Sequence, residues 1–496
     1  MNFIRQRLTT LRTRTRAMQS AMRTWALYAD AADQETRSDL LARITPAERA
    51  QFDATVELTR QRLRPVAVHI DTVRKWVDFL VERINEQFDR ARALLDQGRN
   101  HECLAVLADI DQRMLAPNGE TLAFIQRCLR QRMSPDQFQK LAALDAIIRD
   151  LYLPSAKIAH QRGLIPREAL SRCPLAYLTD TFDGMFVWRH HAQAAAVVGR
   201  QIPITLMAIP RQHLDDPWNL AAVAHEVGLQ LYHDLQLGFE FAHRLLRESV
   251  SAHVSPETAP LWSRWHETLF ADVFGTLRMG AAYVSGMIEL MSADPRAAVT
   301  WSADGPAPPV YVRWHIMLQT LQLLGFADEA RMLFGQIHML CGDPTQLAQV
   351  HGPVWMQMVY EARAVAGLIA FTPSQKLAGT RVIDVVPPFL STDAQQTQKV
   401  KDILLAGDES CVRDEDCRWA NGVRDVPAHL ALAGLRTAAD LSEEFDAARR
   451  LWVRFWCMMQ LLTQESFPSR EKEDREFAPT EASLRSFAHR AVPAMA

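Results

Sequence analysis

The segment VRKWVDFLVERINEQFDRARALL places Val73, Trp76, Val77, Leu80, Val81 and Ile84 at spacings of three and four. Only a helix of about 3.6 residues per turn gathers such positions into one apolar stripe. The same periodicity, with charged residues between the apolar ones, runs through most of residues 1–165. Two start signals support it. In TPAERAQF, Thr45 is an N-cap, Pro46 stands at the first helical position and Glu48 at the capping-box position; SPDQFQKL starts in the same way at Ser134. Helices with one apolar face each must pack on one another. Residues 1–165 therefore read as a helical N-terminal region. No repeat of 30–50 residues is present, so a regular solenoid is not expected.

The first helix is basic. Arg5, Arg7, Arg12, Arg14, Arg16 and Arg23 precede the first acid, Asp30. Ile4, Leu8, Leu11, Met18, Met22 and Trp25 form a stripe between them, which predicts a helix packed on its own domain rather than a membrane-surface or targeting helix. Over the whole chain of 496 residues the formal net charge is −3, and the 55 cationic residues comprise 7 Lys and 48 Arg. That bias is the mark of a GC-rich coding genome of bacterial kind. Without a basic patch interleaved with aromatics, no nucleic-acid partner is expected. No apolar run approaches the ~20 residues of a membrane span, and the N-terminus lacks the apolar core of a secretory signal. The seven cysteines contain no C-x-x-C pair; Cys411 and Cys417 flank an acidic loop, CVRDEDC, and scattered reduced thiols are expected. A cytoplasmic setting follows.

The texture changes near residue 170. MFVWR (185–189) and IPITLMAIP (202–210) are β-branched and aromatic, and read as strands. Pro203 and Pro210 suit an edge strand, because neither donates to a ladder. Asp215 or Asp216 with Pro217 then opens a helix, DPWNLAAVAHEVGLQLYHDL, and another covers about 258–292. Helices are expected near 310–324, 326–341, 352–371 and 438–464, with RVIDVVP a short strand. The expected architecture is mainly α with a small antiparallel β-sheet: a core over 166–300, a helical C-terminal region over 301–465, and a charged, frayed tail over 466–496.

Chemistry concentrates in 200–285. His225-Glu226 stands on a helix, as in zinc hydrolases, where a second His at i+4 shares the metal and the Glu polarises its water. Here the i+4 residue is Leu229, which cannot ligate. His233 shares the face but lies ~12 Å further along the axis, too far for Zn–N bonds of about 2.0–2.1 Å. AHEVG, preceded by ITLMAIP and followed by a helix carrying FADVFGTL, resembles the active-site half of the gluzincin metallopeptidases, the thermolysin-like clan, over about 85 residues. The resemblance implies a third ligand, a Glu, four residues before an Asp that orients the first His from behind. Asp272-Val273-Phe274-Gly275 matches the latter part, so Asp272 would accept a hydrogen bond from His225. The ligand position four before it is Thr268, and the nearest acid is Glu267, turned ~100° away.

Leu229 and Thr268 thus stand where two of three ligands belong, and the resemblance implies a degenerate site. The expected function is non-catalytic: a metallopeptidase-like module that holds an extended peptide or a protein partner beside the 202–210 strand, with no cofactor. The alternative is an active zinc peptidase with Glu226 as general base, His225 and Glu267 as ligands, and His233, His243 or His253 completing the set. A third reading is a helical scaffold without a metal site. His190-His191, His315, His338 and His351 read as core-edge or surface residues, and Trp262, Trp265 and Phe270 as core. No phosphate-binding, dinucleotide or serine-hydrolase elbow motif is present.

Overall fold

A computed structural model describes residues 2–29, 58–180, 186–187, 204–247, 254–342, 344–406, 422–440 and 445–491. The capping sequence at Thr45–Glu48, the His190-His191 pair, His253, and Cys411 with Cys417 lie outside these residues. The chain forms two compact units. One comprises Met1–Ala142, Trp188–Met207 and Ser466–Ala496, the other Ala143–Val187 and Ala208–Glu465.

In the first unit, α1 (Asn2–Tyr28) packs on α2 (Ala67–Asp96). The stripe is used as its spacing demands. Ile4, Leu11, Met18, Met22 and Trp25 are buried on one side, and Ile70, Val73, Trp76, Val77, Leu80 and Ile84 on the other. The arginines of α1 stay at the rim, where Arg14 donates to Asp111 at 2.6 Å and Arg12 lies 5.5 Å from the Phe88 ring centroid. Further along comes α3 (Pro135–Gln161).

The second unit begins with a small sheet, β1 (Leu175–Thr179), β2 (Phe186–Val187) and β3 (Leu206–Pro210), in the order β1-β3-β2. The mainly α class with a small sheet holds, and two strand expectations are corrected. β3 is the central strand, with neighbours on both sides and all five residues buried, not an edge. Pro210 closes the strand, where a missing donor costs nothing. Two strands of the sheet pair in parallel rather than antiparallel, an arrangement that a tight hairpin could not connect.

Next follow α4 (Val223–Asp234), α5 (Gly238–Arg247) and α6 (His266–Met291). Pro217 opens a 3-10 turn, Pro217–Ala222, that leads into α4. α6 is the axis of the unit: every residue from Leu269 to Gly280 is buried. A helix apolar on all sides belongs inside. α4, α7 (Val310–Leu323) and α10 (Ala428–Ala439) pack on it; α8 (Ala327–Cys341) and α9 (Pro353–Ala370) pack outside α7. RVIDVVP is not a strand. Val382–Val385 form a helical turn closed by a capping box, in which Asp384 accepts from the Arg381 backbone N–H at 2.9 Å and from its guanidinium. That local cap outweighs the β preference of the valines.

The charged end of the chain is helical rather than frayed. α11 (Phe445–Phe477) runs on past residue 466, and α12 (Glu481–Ala491) returns to α2. Leu484 is buried, and Arg485 lies over Phe79 and bonds Glu82 at 3.0 Å. Among the described residues no helix is long and apolar enough to cross a membrane.

Candidate functional site

α4 and α6 lie antiparallel, and their cross-contacts give the register. His225 Nδ1 is 3.0 Å from Asp272 Oδ1. A Cβ on Gly228 would stand 3.0 Å from the Ala271 Cα. The Tyr232 ring is 5.2 Å from Phe270, and its hydroxyl shares a hydrogen bond with His266 Nδ1 at 2.5 Å. His233 reaches Glu267 at 4.0 Å. As one helix advances, its partner recedes. The glycine lets the backbones approach closely at the crossing.

Asp272 is fully buried and accepts four hydrogen bonds. Arg313 on α7 supplies two, Nε to Oδ2 and Nη2 to Oδ1, each 2.8 Å. His225 Nδ1–H is the third, and the Tyr283 hydroxyl, at 3.2 Å, the fourth. Burial alone would raise the Asp272 carboxyl. The Arg313 charge and hydrogen bonds, with the bond from His225, overcome this and hold it well below the usual carboxylate range. Arg313 is likewise buried, yet the Asp272 carboxylate raises its pKa. Burial, then Asp272, pushes the Tyr283 phenol well above its ordinary value, so it stays a donor.

Tyr283 reaches Asp272 because α6 breaks. Gly280 adopts φ 59°, ψ −139°, a conformation reserved for glycine. The second half of α6 folds back, and the Tyr283 ring covers Gly275, where a Cβ would lie 2.3 Å from Tyr283 Cζ. Phe389 seals the break and its N–H takes the Leu277 carbonyl.

The consequence falls on His225. With Nδ1–H committed to an ionised carboxylate, Nε2 is the ring nitrogen left to face another group. His225, Glu226, Leu229 and His233 are half-buried, whereas Val227, Gly228, Gln230 and Leu231 between them are buried. On α6, His266 and Thr268 are half-buried and Glu267 is exposed. Burial lowers the His266 pKa, and Glu267 opposes it.

Of the residues singled out from sequence, the structure joins His225 to Asp272 and holds Glu226 near Arg313 and Tyr283, whose pKa values its charge raises. Leu229 lies one turn after His225 on α4 and Thr268 one turn before Asp272 on α6, and both are half-buried. Glu267 goes to His233, about two turns of α4 from His225, and His243 stacks on Phe239 at 6.0 Å on the exposed side of α5. A catalytic zinc ion needs three protein ligands. Among the described residues no three His, Cys, Asp or Glu side chains converge for a metal ion, and the donors around His225 do not fit zinc. Trp262, Trp265 and Phe270 are core. Arg313 and Tyr283 were not legible as site residues. The only signals were one cation inside the apolar run YVRWHIM and a glycine inside a helical pattern. No family model, no curated protein and no solved structure matches the chain.

Proposed function

We propose that the chain is a catalytically inactive, metallopeptidase-like protein whose α4–α6 face binds a peptide or protein partner. One observation carries this reading. His225 is oriented by a fully buried, four-fold bonded Asp272, while the adjoining ligand positions hold a hydrocarbon, Leu229, and a hydroxyl, Thr268. A face with an oriented imidazole acceptor, a carboxylate and an apolar side chain suits polypeptide contact. Among the described residues it brings no three anionic or imidazole donors together to grip a divalent ion. The strand-addition route foreseen at 202–210 is not available, since β3 is flanked on both sides; binding is assigned to side chains of α4 and α6.

The test has two parts. Metal analysis of protein purified without chelator is expected to give zinc far below one ion per chain; stoichiometric zinc overturns the reading. A random peptide library on beads is then probed with wild type and with Leu229→Asp. Retention by wild type and its loss in the variant are expected, and equal retention or none sinks the assignment of the face. Any cleavage of the library that Glu226→Gln abolishes would establish the peptidase alternative instead.

A further inference from the structure

We infer that the turn between β3 and α4 binds a divalent cation of the manganese kind through His213 Nδ1, Asp216 Oδ1 and Asn219 Oδ1. The inference is independent of the α4–α6 face and of the resemblance that directs attention to it.

Spacing brings the three side chains together. Arg211–Leu214 and Pro217–Ala222 are both 3-10 turns, a geometry in which side chains three apart eclipse. His213, Asp216 and Asn219 succeed one another at steps of three. Contacts carry the row across the junction at Asp216. Its Oδ1 lies 3.3 Å from His213 Nδ1, and its Oδ2 accepts from Asn219 Nδ2 at 2.9 Å.

The remaining atoms of this row are buried and idle. His213 is only 7% exposed. Its Nδ1, Asp216 Oδ1 and Asn219 Oδ1 are all shielded from solvent, and none makes a hydrogen bond among the described residues. One such orphan is costly, and three within seven residues call for a partner. Nδ1 and Oδ1 are close without being aligned for a hydrogen bond. Atoms that bind one ion at about 2.1–2.4 Å stand about 3.0–3.4 Å apart, which is the separation found. The usual structural role for Asp216 is also unfilled. It stands at the N-cap of Pro217–Ala222, yet its carboxylate caps no backbone N–H. The neighbouring cation, Arg211, is spent on Asp180 at 2.8 Å.

The turn is held firmly enough to present these donors. The Leu214 carbonyl accepts from Trp452 Nε1 at 2.6 Å and from Trp456 Nε1 at 3.2 Å, and the Gln212 carbonyl takes the N–H groups of Asp215 and Asp216. The Asp216 side chain is 35% exposed, which leaves room for water to complete the coordination. Carboxylate and amide oxygens suit magnesium, calcium and manganese, while an imidazole favours first-row transition ions. Mn2+ satisfies both preferences. Bound there, it would join the end of β3 to the entry of α4.

Mn2+ is titrated into the full chain, with the free ion followed by its electron paramagnetic resonance signal and Tm measured in parallel. One ion per chain with a Kd below ~1 mM, and a Tm that rises with Mn2+, are expected. Asp216→Asn keeps the side-chain size and an acceptor for Asn219, and is expected to lose both effects. His213→Gln is expected to weaken binding at least about tenfold. Wild type that binds no Mn2+ in this range refutes the site without any variant. So does equal binding by wild type and by either variant whose circular dichroism is that of wild type; should Asp216→Asn fail to fold, His213→Gln decides. Metal held at the α4–α6 face would persist in Asp216→Asn, so the two sites are told apart.

Discussion

Arg313→Met removes the only cation that touches Asp272 among the described residues and leaves the carboxylate buried with two donors, His225 and Tyr283. Asp272 is 0% exposed and the Arg313 side chain 14%, so solvent cannot replace the lost partner. Breaking one side of a buried pair costs about 3–5 kcal/mol, out of a total of about 5–15 kcal/mol for a domain. The pH dependence gives a sharper signature. In wild type the folded pKa of Asp272 is depressed, so its contribution is complete above the unfolded value of about 3.9. It is lost only as pH falls through the depressed value, and is constant between pH 7.5 and 5. In the variant, burial wins and the folded pKa rises above the unfolded one. The penalty is then full at neutral pH and is relieved on acidification, as Asp272 takes up a proton. Urea unfolding at pH 7.5 and pH 5, followed by circular dichroism, should show the gap between wild type and variant narrowing at the lower pH. Arg313→Lys, which keeps the charge but not the parallel N–H donors, should fall between the two. A cost below about 1 kcal/mol, the value of an exposed pair, would refute the account, as would a gap that does not change with pH.

Two further outcomes follow from particular side chains. Burial lowers the His315 pKa to about 4, so its stabilising neutral form is complete above the unfolded value of about 6.5 and is lost as pH falls from there toward 4. The loss reaches about 2 kcal/mol at pH 5, and His429, lowered by burial and by Arg278, acts in the same direction. His315→Phe should flatten the pH 7-to-5 stability difference by roughly that amount in urea titrations, and an unchanged slope would contradict it. Gly275→Ala should destabilise despite the ~1 kcal/mol gained in helix propensity. The new Cβ takes the space of the Tyr283 ring, and overpacking costs about 1–3 kcal/mol. A raised Tm in that variant would show that Tyr283 is not held there.

Helix positions were legible wherever one face is buried, because the 3.6-residue period is then imposed on composition. The α1 and α2 stripes are the clear instances, and Leu8, the one half-buried member of the α1 stripe, marks its edge. The contact of His225 with Asp272 was expected from the resemblance carried by AHEVG and FADVFG, not from spacing within either helix. Arg313, 41 residues downstream of Asp272, could not follow, because nothing local couples α7 to α6. Tyr283 was hidden for a different reason: a regular helix would carry it away from Asp272, and only the backbone reversal at Gly280 brings it back. Strand order failed because the edge reading relied on prolines at the ends of 202–210, whereas neighbours are set by the path of the chain elsewhere. RVIDVVP failed because side-chain capping by Asp384 competes with β propensity and wins over four residues.

The Asp272–Arg313 pair is a poor way to obtain stability. Two charges taken out of water recover roughly what they cost, and a well-packed apolar pair of similar volume is often equal or better by about 1–4 kcal/mol. The loss expected in Arg313→Met measures the damage of orphaning a carboxylate, not the net worth of the pair. What the pair supplies that hydrocarbon cannot is direction. A fixed, ionised acceptor takes the Nδ1–H and sets one ring orientation of His225. Elsewhere in this unit buried carboxylates join elements to one another: Glu361 accepts from Ser255 N, Thr258, Trp262 and Gln357, and Asp234 from Tyr152, Arg172 and Gln230. Asp272 also ties α7 to α6, and it spends one hydrogen bond on a half-buried imidazole, His225. Under the proposed function, that imidazole is what directs the search for a partner to the face around residue 225.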